Sequence, residues 1–157
     1  VPAGTVCNRL TSNIDLLPTF AQIAGAPLPP LEIDGVSLLP LLRDPQAAPV
    51  RDALALYYQE NSLEAVTDGL YKLVFPHDYL AYGMPGNDGQ PGEMVPRRVE
   101  RAELYDLRRD PGERYDVAAQ HPEVVARLDS VARHYRAVLG DDLTGAPGSG
   151  RRKPGSR

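Results

Sequence analysis

The segment Leu63-Glu64-Ala65-Val66-Thr67-Asp68-Gly69-Leu70-Tyr71-Lys72-Leu73-Val74-Phe75 sets two β-prone apolar runs on either side of an Asp-Gly pair. Asp-Gly between such runs is a strong hairpin signal, because glycine accepts the positive φ of a tight turn. Leu63–Thr67 and Leu70–Phe75 are therefore predicted as neighbouring strands. Upstream, Leu54–Gln59 has the same character, and downstream Glu103–Leu107 reads as a further strand. Short strands joined by hairpin turns imply an antiparallel sheet.

Beyond that sheet the clearest pattern is helical. Val124, Val125, Leu128, Val131, Ala132, Tyr135, Val138 and Leu139 keep a helical spacing, with Pro122 at the first position, His121 before it and Gly140 at the stop. The predicted class is α+β: a small antiparallel sheet packed by a long C-terminal helix. A second helix is predicted over Ile14–Ala24, capped by Asn13 or Asp15, with Pro18 in its first turn and Gly25 ending it. Leu16, Leu17, Phe20 and Ile23 make that helix apolar around most of its circumference, so it wants protein on several sides. It reads as a helix taken from a larger body. Gly35–Leu42 reads as a short apolar turn.

Sixteen prolines and fourteen glycines predict short elements and much loop. Residues 76–102 concentrate them, with Gly83, Pro85, Gly86, Gly89, Pro91, Gly92 and Pro96. Structureless stretches above about 15 residues are uncommon in compact domains. This one reads either as a solvated excursion or as a functional loop. A single cysteine, Cys7, excludes an internal disulfide framework and a Cys-clustered zinc site. No run approaches the roughly 18–20 apolar residues of a bilayer span, so no membrane partner is expected. The net charge is −4 although Arg151, Arg152, Lys153 and Arg157 crowd the C-terminus. The body is thus more acidic than the whole, which argues against nucleic acid as a partner.

Three histidines are present. His121 reads as a helix-boundary residue and His134 as a solvated one. His77 and Asp78, within Phe75-Pro76-His77-Asp78-Tyr79, form the best polar cluster, at the opening of the 76–102 segment. Asp141-Asp142 at the helix exit reads as solvated. There is no phosphate-cradling glycine loop, no metal-ligand spacing and no Gly-x-Ser-x-Gly elbow. The chain holds no complete catalytic constellation, and no catalytic or metal-binding residue is assigned.

Two blocks resemble the C-terminal part of the sulfatases, the arylsulfatase-like members of the alkaline-phosphatase-like superfamily. The first is Ser12-Asn13-Ile14-Asp15-Leu16-Leu17-Pro18-Thr19-Phe20, running through Ala24-Gly25-Ala26-Pro27-Leu28-Pro29 to Ile33-Asp34-Gly35-Val36-Ser37-Leu38-Leu39-Pro40-Leu41-Leu42. The second is Glu103-Leu104-Tyr105-Asp106-Leu107-Arg108-Arg109-Asp110-Pro111-Gly112-Glu113, followed by His121-Pro122-Glu123-Val124. Asp68-Gly69-Leu70-Tyr71-Lys72-Leu73 between them, and Gly86-Asn87-Asp88-Gly89-Gln90-Pro91-Gly92, also resemble family segments.

The resemblance implies that residues 1–50 are the end of the large α/β sulfatase domain, 51–143 its C-terminal subdomain and 144–157 a disordered basic tail. It implies a parent enzyme that hydrolyses sulfate esters with a formylglycine beside a calcium ion. The formylglycine arises from Cys or Ser in Cys/Ser-x-Pro-x-Arg, and no proline here has Cys, Ser or Thr two positions before it. The isolated chain is accordingly expected to be inactive and to need the rest of the large domain as its partner. His77, Asp78 and the loop to Pro96 are the expected border of the substrate cleft. Export of many bacterial members makes a periplasmic or secreted location the expectation. A sister phosphodiesterase or phosphonate hydrolase, and a stand-alone binding module, are the alternatives.

Overall fold

A computed structural model describes residues 3–151. It contains two compact units, one ending at Leu54 and the other starting at Ala55.

In the first unit the predicted helix opens more tightly than its spacing suggests. Asn13–Asp15 forms a 3-10 turn, and helix α1 proper covers Leu16–Ala24. Pro18 falls in the first turn of α1, where its missing N–H has no helical acceptor to lose. Gly25 ends the helix in the left-handed region at φ 64°. The Gly35–Leu42 patch, expected as a turn, runs into a short helix α2 over Leu39–Arg43, with Pro40 in its first turn.

Asp15 holds these pieces together. It is fully buried. Its carboxylate accepts Ser12 N at 2.9 Å and Val36 N at 3.0 Å, and it pairs with the Arg51 guanidinium. Thr19 Oγ1 donates to Asp15 O at 2.6 Å and accepts Leu38 N at 2.8 Å. Burial raises the Asp15 carboxyl, but the Arg51 and amide bonds outweigh it and hold the group below its ordinary range. Gly35 is required by proximity, since a Cβ there would stand 2.0 Å from Ile14 O. The apolar circumference is only partly covered: Leu16, Leu17, Phe20 and Ile23 are 46%, 55%, 62% and 59% exposed.

The second unit is built on a four-stranded sheet. Its strands are β1 (Leu54–Tyr58), β2 (Ser62–Thr67), β3 (Tyr71–Val74) and β6 (Glu103–Asp106), in the order β1-β2-β3-β6. β2 pairs antiparallel with β3, Val66 opposite Leu73, and β3 with β6, Leu73 opposite Leu104. The Asp68-Gly69 turn joins β2 and β3 as predicted. The Asp68 carboxylate accepts Leu70 N at 2.8 Å and Tyr71 N at 2.7 Å, and Gly69 takes φ 85°. One face of the sheet packs on helix α3 (Pro122–Leu139), where Leu63, Val66, Leu73, Phe75, Leu104, Leu128 and Ala132 form the core. Leu63 and Val66 both reach it although three residues apart, so strict alternation breaks between them.

The expectation of a structureless 76–102 segment is corrected. β4 (His77–Tyr82) and β5 (Met94–Val99) form a separate antiparallel ribbon, His77 opposite Val99 and Tyr82 opposite Met94. The Gly and Pro residues crowd into the connection 83–93 between the strands. Pro96 lies inside β5, tolerated because a two-stranded ribbon leaves one edge of each strand open.

Asp141 corrects a second expectation. It is fully buried, not solvated. It accepts Leu63 N at 3.1 Å, Leu143 N at 3.0 Å and Arg136 Nε at 2.8 Å. Tyr57 OH donates to Gly140 O at 2.8 Å nearby; burial first, and the Asp141 carboxylate second, push this phenol up to about 12. Where a disordered tail is expected from residue 144, the described part folds back on the end of α3. Ser149 N donates to Ala137 O at 2.9 Å and Gly150 N to Val138 O at 2.7 Å. Residues 152–157 lie outside the described residues.

Candidate functional site

His77 begins β4, one residue after Pro76 turns the chain away from the sheet. Its ring is buried, and Nδ1 donates to Phe75 O at 2.7 Å, since a carbonyl can only accept. Nε2 stands 3.2 Å from Glu64 Oε2 on β2. Both ring nitrogens are therefore engaged within the protein. Asp78, the next residue of the strand, is exposed and pairs with Arg98 opposite it at 2.8 Å. Arg98 also reaches Glu100 at 3.3 Å.

The structure thus does not bring the two sequence candidates to one point. A strand turns successive side chains to opposite faces, and His77 and Asp78 border different hollows. His77 lines a cavity of about 440 Å³ on the face of the sheet away from α3, with Lys72, Glu103 and Tyr105 also in its wall. Asp78 lines a wider cleft of about 810 Å³ along the ribbon, together with Tyr58, Arg97 and Arg98. Glu64 and Tyr79 border both. In the smaller cavity Tyr105 OH donates to Glu103 at 2.5 Å, and burial, then that bond, raise the phenol. Lys72 closes its rim through Glu113 at 2.8 Å.

The second signature block reaches this cavity through Glu103, Tyr105 and Glu113, and its carboxylates and that of Asp116 saturate backbone amides. Asp106 accepts Arg108 N at 3.1 Å, Asp110 accepts Arg114 N at 2.6 Å, and Asp116 accepts Leu104 N at 3.1 Å. These carboxylates shape the chain after β6. His121 is the N-cap residue of α3, and His134 is exposed on it.

The sequence model of the family described as the C-terminal region of aryl-sulfatase matches residues 51–144. The chain belongs to that family. It is 38% identical over 137 residues to arylsulfatase A of Homo sapiens, covering 80% of this chain and 26% of that protein. It is 30% identical over 154 residues to N-acetylgalactosamine-6-sulfatase of Canis lupus familiaris, covering 88% and 29%. A solved structure from work on the metabolism of multiple glycosaminoglycans by Bacteroides thetaiotaomicron is similar at TM-score 0.56. That match has 27% identity over 78% of this chain and 24% of the other. The chain spans under a third of the length of these sulfatases.

The resemblance read from the sequence implies calcium and a formylglycine for a parent enzyme. Among the described residues no group of three or more His, Cys, Asp or Glu could hold a metal ion. Cys7 is exposed and precedes Asn8-Arg9, not a proline two positions on. The described residues fit neither group. Sequence reading missed Glu64, Tyr58 and Arg97, because they reach the hollows through strand pairing rather than through local spacing.

Proposed function

We propose that the chain serves as the C-terminal part of a sulfuric ester hydrolase, completing its fold and bordering its substrate cleft. The nucleophile and the calcium ligands then belong to sulfatase sequence outside these residues. The observation that carries this reading is the open cleft along β4–β5, where Arg97 and the Asp78–Arg98 pair stand beside the Tyr58 and Tyr79 rings. Guanidinium groups suit sulfate oxygens, and phenol rings offer flat contact area to the organic part of an ester. His77 acts on this cleft by fixing where β4 leaves the sheet, Asp78 by holding Arg98. The exposed apolar side of α1 supports docking onto the rest of the large domain.

The test uses this segment joined to the preceding sulfatase sequence. Asp78→Ala, His77→Ala and Arg97→Ala are each expected to change kcat/KM for sulfate esters by about tenfold or more, the scale of a lost charge-assisted contact. Unchanged constants for several sulfate esters would remove the cleft role. The 157-residue chain alone is expected to give no turnover, and turnover by the purified chain would place chemistry within it.

A further inference from the structure

We propose that the Glu64–His77 contact is a proton-dependent latch that sets the position of the β4–β5 ribbon on the four-stranded sheet. The argument rests on acceptors. Phe75 O accepts from Nδ1 at 2.7 Å, and a Glu64 carboxylate oxygen lies 3.2 Å from Nε2. A neutral imidazole has one N–H and one lone pair. Whichever tautomer it adopts, one lone pair then faces an oxygen acceptor at close range, with both side chains largely withdrawn from water. With Glu64 ionised, only the doubly protonated ring satisfies both contacts.

The other groups around this cavity are Tyr57 and Tyr58 on β1, Lys72 on β3, Glu103 and Tyr105 on β6, Glu113 beyond it and Tyr79 on β4 itself. Lys72 is taken by Glu113, and Glu103 by Tyr105. Glu64 is thus the carboxylate on the ring nitrogen. The ribbon strands pack extensively on each other but only sparsely on the sheet, so losing the latch frees the ribbon without opening the core. The inference concerns residues within this chain and holds whether or not the ribbon meets a sulfate ester.

The test is nitrogen-15 NMR of the 157-residue chain across the imidazole range, about pH 5 to 8, with amide hydrogen exchange corrected for its intrinsic pH dependence. At the acidic end both His77 ring nitrogens are expected to carry protons. As one proton leaves, the opening equilibrium of ribbon amides should rise by up to about tenfold per pH unit, the limit for a single proton. Core amides of β2, β3 and β6 should not follow. Glu64→Gln can donate an amide N–H to a bare Nε2, so the ribbon should lose this pH dependence. Ring nitrogens that stay singly protonated throughout, ribbon opening that does not track the ring, or an E64Q ribbon that keeps the wild-type dependence would each overturn the latch. Should E64Q not fold, the wild-type comparison of ring and ribbon decides alone.

Discussion

The β2–β3 hairpin and the β4–β5 ribbon are the same object by backbone and opposite objects by side chain. Both are antiparallel pairs in regular register. In the hairpin, Leu63, Val66 and Leu73 are sealed under α3. In the ribbon, Leu80, Tyr82 and Met94 face outward, Tyr82 at 72% exposure. The difference is cover, not pairing. An isolated two-stranded hairpin is marginal in water, and the ribbon persists as a continuation of β3 and β6, tied at its base by His77 and Glu64. Stability therefore concentrates in the sheet and its helix, while the ribbon holds exposed surface beside the candidate cleft.

This contrast can be broken most forcefully from the core side. Leu104→Ala empties a site with no solvent exposure, opposite Leu73 in the register. It is expected to cost about 2–5 kcal/mol, read as a lower urea midpoint with unchanged slope. A loss within the range of a surface substitution would mean that the helix does not seal the sheet.

The hairpin turn offers an intermediate test with a pH signature. Burial raises the Asp68 carboxyl, but the Tyr71 amide, Arg127 and the Leu70 amide together hold it below its ordinary value of 3.8. A depressed carboxyl contributes its full stability above the unfolded value, and that contribution is lost as pH falls through the folded one. Asp68→Ala is expected to cost about 1–3 kcal/mol at neutral pH, the scale for bonds to a charged acceptor. The gap from wild type should narrow once the pH drops below about 4. A gap that stays constant into acid would show that the carboxylate charge does not hold the turn.

The smallest effect belongs to the ribbon. Tyr82→Ala removes a large ring that the chain leaves exposed, and the urea midpoint should move by less than about 0.5 kcal/mol equivalent. A core-sized loss there would erase the distinction between the two strand pairs.

Much of the core was legible because its signals are local. Asp68-Gly69 marks a turn wherever it lies between apolar runs, and the spacing of Leu128 and Ala132 holds for any helix that has one buried side. The candidate site was far less legible. His77 and Asp78 are adjacent in sequence and separated by the pleat. Glu64 and His77, thirteen positions apart, meet because β3 carries the chain back past β2. Asp141 looked like one of a solvated pair, yet the return of β2 beside the end of α3 buries it against Leu63 N.

By itself the sequence determined the four strands of the main sheet, the last helix, the turn chemistry and the sulfatase kinship. Periodicity, caps and short motifs are properties of neighbours along the chain, and they survive in any context. Only the tertiary structure decided that residues 77–99 form a paired ribbon, that both nitrogens of His77 are occupied, and that Asp15 and Asp141 are buried hubs. Those outcomes depend on which distant amides and guanidinium groups reach a carboxylate before water does, and that is settled by packing.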